Sequence, residues 1–570
     1  MTQWKHNGKL SDNFAEDRMK KIAQCLLVFA ASALIVFVLV LSSVPPVSRD
    51  ALTHHLVVPK LYLEHGGIYE IPSIKFSYYP MNLDLLYLVP LFFGNDIIPK
   101  YIHFSFALLT ALLIHRYLKK RLGNLYGYLG VIFFLSIPII LKLSITVYVD
   151  LGLIFFSFAS LIYLLKWCSH GFRLQFLFLS SLYCGLALGT KYNALILFVL
   201  LALLIPVAYS RSVPAESVSS FAAMKYSAFF ILIALLFFSP WMIRNYTWKK
   251  NPIYPLYHQF FSAEKVDREE EMEEGFKERS SEKRFGSFAI RHIVYQESWW
   301  QTALIPIRIF FQGEDNNPKF FDGKLNPFLL ILPFYAFWGY RGDRRTAVLF
   351  EMKIMLAFSA LFLLFAFFAQ DIRIRYISPI IPPLVVLSIF GLYNLIEKAR
   401  RKGPFFRRAV YYILSGIVIF WMLGINAGYM FDQFRHVEPL AYISGKIDRE
   451  TYIESYRPEY AVMKYANRHL PSDAEILSLF LGSRYYYSDR KIIFRLSMFA
   501  DAVKTSETPE AMVSELKQNG ITHIMIGYEL FNIWANNSFK KQQKIRIDRF
   551  FNHQVVYVFS KNGYGLYQLK

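Results

Sequence analysis

The sequence predicts a polytopic α-helical membrane protein of about eleven transmembrane helices, followed by a C-terminal soluble α/β domain. Three observations predict it. The 570-residue chain is 55% hydrophobic and 18% aromatic but only 18% charged, where soluble proteins carry roughly 25% charged residues. Its apolar residues are gathered into runs of about 20, the length needed to cross a hydrocarbon core. The segment 429–570, in contrast, alternates short apolar strands with amphipathic helical stretches. The 54 Phe and 38 Tyr exclude disorder, and 28 Gly exclude a collagen-like chain. A net charge of +21 suggests nucleic-acid binding until its location along the chain is known.

The first run, 22–44, follows the basic pair Lys20 and Lys21. Its length, and the lack of a small-residue cleavage site, predict an uncleaved first helix rather than a signal peptide. Further runs lie near 97–118, 125–141, 148–167, 174–190, 192–209, 226–242, 326–340, 347–369, 377–396 and 409–428. The stretch 81–93 is short and flanked by prolines, which predicts an interfacial or re-entrant segment.

Lys and Arg accumulate in short cytoplasmic segments. With a cytoplasmic N-terminus, the inside segments are 1–21, 116–121, 166–173, 210–225, 341–346 and 397–408. They hold 22 Lys and Arg against 6 Asp and Glu, which is +16 of the net +21. The excess charge therefore reports topology, and no nucleic-acid partner is expected. The opposite orientation would place this bias on the wrong side.

Three long segments then lie outside: 45–96, 243–325 and 429–570. Large loops gathered on one face suggest a site built at the membrane surface. Cys25, Cys168 and Cys184 lie in or beside helices, so no disulfide framework supports the outer segments. A bacterial plasma (inner) membrane fits this pattern, and an archaeal one is the alternative. In the last segment, strands are expected at 474–480, 522–528 and 554–560, with a helix at 509–520. It has no phosphate loop, metal-ligand spacing or nucleophile elbow, so scaffolding or acceptor recognition is favoured over separate catalysis. No internal repeat is apparent, which disfavours inverted-repeat transporters.

Charges at membrane edges are costly and need an explanation. Asp50 follows the first helix at headgroup depth. Beside apolar surface, a carboxylate there would have a raised proton affinity suited to a general base. The alternative is an aspartate capping a helix that starts near Ala51. His54 and His55 follow, but adjacent residues cannot both face one ion from a helix, so structural or substrate contacts are favoured over metal ligation. Asp84 in YYPMNLDLLY and Asp150 in VYVDLGLIF close apolar stretches on the same outer face. Cations lie there too: Lys191 in the turn after 174–190, Arg244 where the seventh helix emerges, and Arg373 and Arg375 before the tenth. Singly, each reads as a side chain snorkelling to lipid phosphate; together they would suit one bound phosphate. The run 263–284 reads as a solvated, charged helix or loop. The segment 298–311, opened by two tryptophans, reads either as an amphipathic interfacial helix or as an ordinary packed loop helix.

Several of these residues stand in short motifs: Arg49-Asp50, Tyr148-Val149-Asp150 and Lys191-Tyr192. Others are Trp241…Arg244-Asn245…Asn251-Pro252…Tyr254-Pro255, and Arg375-Tyr376 followed by Pro379, Pro382 and Pro383. In order and placement the chain resembles the GT-C membrane glycosyltransferases, in particular the bacterial branch of protein mannosyltransferases and aminoarabinose transferases. The resemblance covers nearly the whole chain. It implies a hexosyl- or pentosyltransferase that moves a sugar from a polyprenyl-phosphate carrier to an envelope glycan, lipid or protein, with inversion, at the outer face. It also implies that Asp50 is the catalytic acid/base residue. Lys191, Arg244 and Arg375 would stabilise the leaving phosphate, with Tyr192, Tyr376, Asp84, Asp150, His54 and His55 lining the substrate site. The first loop departs from many relatives in having Arg49-Asp50 in place of paired acidic residues. No metal ligand is assigned, and a divalent cation remains compatible with the resemblance. Two rival functions are a transporter or flippase of lipid-linked sugars, which would want polar residues through mid-membrane, and an assembly scaffold, which would tolerate loss of the outer charges.

Overall fold

A computed structural model describes residues 2–214, 216, 219–261, 287–338, 346–369, 372–400 and 405–570. The charged run 263–284 lies outside these residues, as does most of the basic segment 341–346. Among the described residues, eight helices are long and apolar enough to cross a membrane: Arg18–Ser42, Ile98–Leu122, Asp150–Ser169, Ala194–Ser212, Ser220–Lys249, Ala347–Phe368, Ile374–Ala399 and Phe406–Val437. Asn124–Ser136 and Pro138–Ser144 form a further pair bent by 68°. The bend falls at Ile137, which the following proline pushes out of helical conformation, to φ −55° and ψ 130°. Leu174–Leu188 and Phe328–Phe337 are apolar but shorter. All eleven expected runs are therefore helical, though not all are straight, full-length spans. The helix that begins at Phe405 runs unbroken to Val437, past the expected end of the last span.

Lipid offers helices no hydrophobic incentive to associate, so close backbone approach and interhelical hydrogen bonds carry the packing. Ser160 and Ser180 form such a clasp, each hydroxyl donating to the other's carbonyl at 2.8 Å. Gly391 lets the buried helix Ile381–Arg400 touch the helix Phe328–Trp338, since a Cβ there would stand 2.2 Å from the Leu332 carbonyl oxygen. Gly391→Val is accordingly expected to force these helices apart and to destabilise the bundle by about 1–3 kcal/mol or more. Thermal unfolding in detergent measures it, and an unchanged midpoint would contradict the packing described. At the far end of the bundle from Asp50, Arg121 pairs with Glu351 at 2.5 Å and Tyr117 donates to the same carboxylate at 2.6 Å.

The C-terminal segment carries a five-stranded sheet in the order β2-β1-β3-β5-β4: β1 Glu475–Leu479, β2 Lys491–Ile493, β3 His523–Gly527, β4 Val555–Lys561 and β5 Tyr564–Leu569. β1 runs parallel to β2 and β3, and the β4–β5 hairpin adds antiparallel to β3. Alternation along β1 and β3 serves two faces. Leu477, Leu479, Ile524 and Ile526 meet Phe499, Met512, Leu516, Phe531 and Trp534 on one face. Ile476 and Met525 meet Val462, Met463 and Ala466 on the other. Of the five strands, β1, β3 and β4 match the expected segments. β2 has only three residues, and β5 follows glycine and asparagine, so neither carries a strong strand signal.

Candidate functional site

The loop after the first helix turns into a short π-helix, Ala51–His55, with Asp50 at its capping position. Asp50 makes no side-chain cap bond there. Its carboxylate instead pairs with the Arg375 guanidinium, which enters from the 3-10 turn Ile374–Ile380. That turn is pinned to the loop before the helix Phe328–Trp338: the Ile374 amide donates to the Phe321 carbonyl at 2.8 Å, and Arg373 lies 3.6 Å from Asp322. Pro379 falls within the turn, and Pro382 and Pro383 open the following helix, where backbone donors have no intrahelical partner. The sequence reading of Asp50 as a carboxyl of raised proton affinity is corrected here. Burial alone would raise it, but the adjacent Arg375 charge overrides burial and holds it well below the usual carboxylate range.

The two histidines part company. His54 hydrogen-bonds the Thr53 hydroxyl at 2.9 Å and stacks on Phe76 at 4.4 Å. Burial, with His55 alongside, holds its proton affinity well below the usual histidine value, so it is neutral at pH 7. His55 Nδ1 meets Asp84 Oδ1 at 2.6 Å, and both side chains are buried. Asp84 is therefore committed to His55. Among the described residues, no group of three or more His, Cys, Asp or Glu side chains is placed to hold a metal ion.

Asp150 opens the helix Asp150–Ser169 and is 1% exposed. Lys191, in the turn before Ala194–Ser212, pairs with it at 2.6 Å, while the second carboxylate oxygen makes no hydrogen bond. His103 buttresses the same helix start. Its Nε2 accepts from the Leu151 amide at 2.9 Å and its Nδ1 faces the Thr146 carbonyl at 3.0 Å, partners that assign a neutral ring protonated at Nδ1.

Two tyrosines join the ion pairs. Arg375 lies over the rings of Tyr148 and Tyr376 at 5.5 and 5.2 Å, and Lys191 lies over Tyr376 at 5.6 Å. The Tyr148 carbonyl accepts from the buried Tyr87 hydroxyl at 2.5 Å, and its ring is 5.7 Å from that of His55. Asp50, Arg375, Tyr376, Lys191 and Asp150 thus form one continuous patch, with Asp84 and His55 at its edge.

Arg244 belongs to a neighbouring cluster. It stands between Trp241 and Trp248, 4.5 and 5.0 Å from their rings, and donates to the Tyr79 carbonyl at 3.1 Å. It has no carboxylate partner among the described residues, and its Nη1 is buried without a hydrogen bond. Tyr192 is structural in this arrangement: its hydroxyl donates to the Tyr254 carbonyl at 2.9 Å and accepts from Asn245 at 3.0 Å. Trp241 donates to Asn82, and Asn251 ties the same loop through the Leu256 carbonyl. Ring contacts His54–Phe76–Tyr79–Tyr192, at 4.4, 5.3 and 5.2 Å, connect this cluster to the first loop. Arg49 is exposed. Arg373 lies beside the Lys142–Asp315–Asp322 network. The segment 298–311 is neither of the single helices considered: it breaks into Trp299–Ala303 and Ile305–Arg308, with Pro306 in the first turn of the second.

Sequence reasoning missed Tyr148 as a bridging ring, His103 and Asp322. Their partners are distant in sequence, and of the three only Tyr148 stands in a local motif.

No protein-family model matches the chain, and no curated protein matches it in sequence. Solved structures do. ArnT from Cupriavidus metallidurans in the apo state superposes with a TM-score of 0.56 at 13% identity, covering 95% of this chain and 97% of that one. ArnT bound to undecaprenyl phosphate gives 0.55 at 12% identity over the same shares. The archaeal oligosaccharyltransferase AglB from Archaeoglobus fulgidus, in complex with an inhibitory peptide and a dolichol-phosphate, gives 0.51 at 12% identity over 97% of this chain and 74% of that one. The chain has the GT-C fold, a multi-helix membrane part followed by a small sheet domain.

Proposed function

We propose that this membrane protein transfers a sugar from a polyprenyl-phosphate carrier to a cell-envelope acceptor, with inversion, at the outer face of the plasma membrane. The observation that carries the reading is the patch itself: Asp50–Arg375 and Asp150–Lys191 flank Tyr376 at the ends of separate helices. It is supported by the fold, since similar structures hold undecaprenyl phosphate and dolichol-phosphate. The lysine and arginine bias of the short loops supports a cytoplasmic N-terminus and an outer site.

The geometry suggests how Asp50 acts as a base despite its depressed proton affinity. An arriving phosphate is an oxyanion that competes with Asp50 for Arg375, while Lys191 adds a second cation. Once Arg375 is shared with phosphate, Asp50 loses its main stabilising charge but remains half-buried. Its proton affinity then rises toward the range useful for accepting a hydroxyl proton. As the acceptor oxygen attacks the anomeric carbon from the opposite face, the bond from that carbon to the phosphate oxygen breaks. The electron pair leaves on the phosphate, beside Arg375 and Lys191, and the acceptor proton passes to Asp50.

Binding of undecaprenyl phosphate to the purified protein in nanodiscs tests the first step. Arg375→Gln and Arg244→Gln are each expected to weaken it about tenfold or more, the value of one charge-assisted hydrogen bond. Wild-type affinity in both variants would overturn the placement of the carrier phosphate.

A further inference from the structure

The loop 480–490, between β1 and β2, fastens the sheet domain to the segment that carries Asp50, on both sides of that residue. The Tyr487 hydroxyl donates to the Pro46 carbonyl at 2.7 Å, and the Tyr486 amide donates to the Leu52 carbonyl at 3.3 Å. The Tyr486 side chain packs against a buried apolar cluster that includes Ala51, next to Asp50, and Val149, next to Asp150. Lys60, on the helix Val57–His65, donates to the carbonyls of Tyr486 and Ser488 at 3.2 and 3.0 Å and lies 3.2 Å from Asp489.

The same loop is held to its own domain. Asn467, on the helix Tyr460–His469, donates to the Tyr487 carbonyl and accepts from the Asp489 amide, both at 2.9 Å. The Arg490 guanidinium donates to the carbonyls of Asn467 and Leu470 at 2.8 and 2.7 Å. A second tie lies beside it: Arg449 pairs with Asp96 at 2.5 Å, and its guanidinium stands 6.0 Å from the Tyr487 ring. From the membrane part, Lys100 donates to the Val44 carbonyl at 2.8 Å. The carbonyls of Val44, Pro46 and Leu52 are thus all held from outside the segment, and Asp50 lies between the last two. A general base must stand within hydrogen-bond reach of the proton it takes, and a misplacement of about 1 Å can cost ~10²-fold in rate.

We propose that Tyr486 and Tyr487 are positioning residues: through the backbone on either side of Asp50, the sheet domain sets where its carboxylate stands. Freed at Pro46 and Leu52, the segment would let Asp50 leave the place where the acceptor hydroxyl arrives. The carrier phosphate would still bind, because Arg375, Lys191 and Arg244 stand on other elements that these bonds do not involve. Loss of the anchor should therefore lower turnover far more than it lowers lipid affinity. This deepens the transferase reading and rests on it for the role of Asp50, whereas the anchoring itself stands on the bonds above.

The experiment uses the full chain in nanodiscs. It follows hydrogen exchange over residues 47–56, undecaprenyl phosphate binding, melting temperature, and transfer from a labelled polyprenyl-phosphate sugar. Tyr487→Phe deletes one hydroxyl and keeps the ring, and Tyr486→Ala removes the packed ring. Exchange over 47–56 is expected to rise about threefold in the first and about tenfold in the second. Turnover is expected to fall by at least the same factors, with undecaprenyl phosphate affinity within about threefold of wild type. Tyr486→Phe, which keeps the ring, should restore most of the turnover. A merely structural role predicts that melting temperature, lipid affinity and turnover fall together, and that outcome overturns the proposal. Exchange or turnover unchanged in both Tyr487→Phe and Tyr486→Ala overturns it as well. Wild-type protein that transfers no sugar would overturn the transferase reading instead, while the exchange difference still decides whether the sheet domain holds the segment.

Discussion

Asp50→Asn is expected to reduce sugar transfer by about 10²–10⁴-fold, the usual contribution of a positioned general base. It should at the same time bind undecaprenyl phosphate at least as tightly as wild type. The two effects have one cause. In the resting structure Asp50 is the ion-pair partner of Arg375, so it competes with the phosphate for the guanidinium. Asparagine keeps the shape, removes the competing charge and cannot take a proton. A purely structural role for Asp50 predicts that transfer and lipid binding fall together, because an uncompensated Arg375 would disturb the turn Ile374–Ile380. Assay with a labelled polyprenyl-phosphate sugar and envelope acceptors separates these cases. Unimpaired transfer by Asp50→Asn would sink the assignment.

Lys191→Ala is expected to destabilise the protein by about 3–5 kcal/mol, the range observed when one member of a buried ion pair is removed. Lys191 is the cation hydrogen-bonded to Asp150. Asp150 is 1% exposed, one of its oxygens already lacks a hydrogen bond, and its nearest cation is Lys191 at 2.6 Å. The double change Lys191→Met with Asp150→Asn leaves no charge buried and should recover most of the loss. Transfer should stay low in the double variant, because the phosphate still lacks its second cation. Thermal unfolding and the transfer assay together read both outcomes. A single variant as stable as wild type, or a double variant no more stable than the single one, would show that the pair does not hold the start of the helix Asp150–Ser169.

Much of the architecture was legible because bilayers impose a simple length rule. Each expected run, from the first helix to the one ending at Val437, contains the apolar stretch that became a helix. The bend at Ile137 was also written locally, in the proline that follows it. The site was legible only in part. Asp50, Asp150, Lys191 and Arg375 could be gathered on one face because each stands at a helix end, and topology assigns helix ends to a side. Their pairing could not be read. The partner of Asp50 lies at position 375, that of Asp84 is a histidine 29 residues away, and both depend on tertiary approach. The error over the proton affinity of Asp50 has the same origin: burial was visible in its apolar surroundings, whereas the opposing charge was not.

The bonds from Tyr486 and Tyr487 to the backbone on either side of Asp50 also order events in time. Ribosomes make the chain from its first residue, so Asp50, Asp150, Lys191, Arg244 and Arg375 are all synthesised before positions 486 and 487 exist. A nascent chain that has completed every membrane helix therefore still lacks the bonds that Tyr487 and Tyr486 make to Pro46 and Leu52. Only when the sheet domain has folded and returned to the membrane surface are Pro46 and Leu52 fixed. The bonds on either side of Asp50 thus form last, and a product truncated at the end of the final long helix would hold every candidate residue of the membrane patch without them.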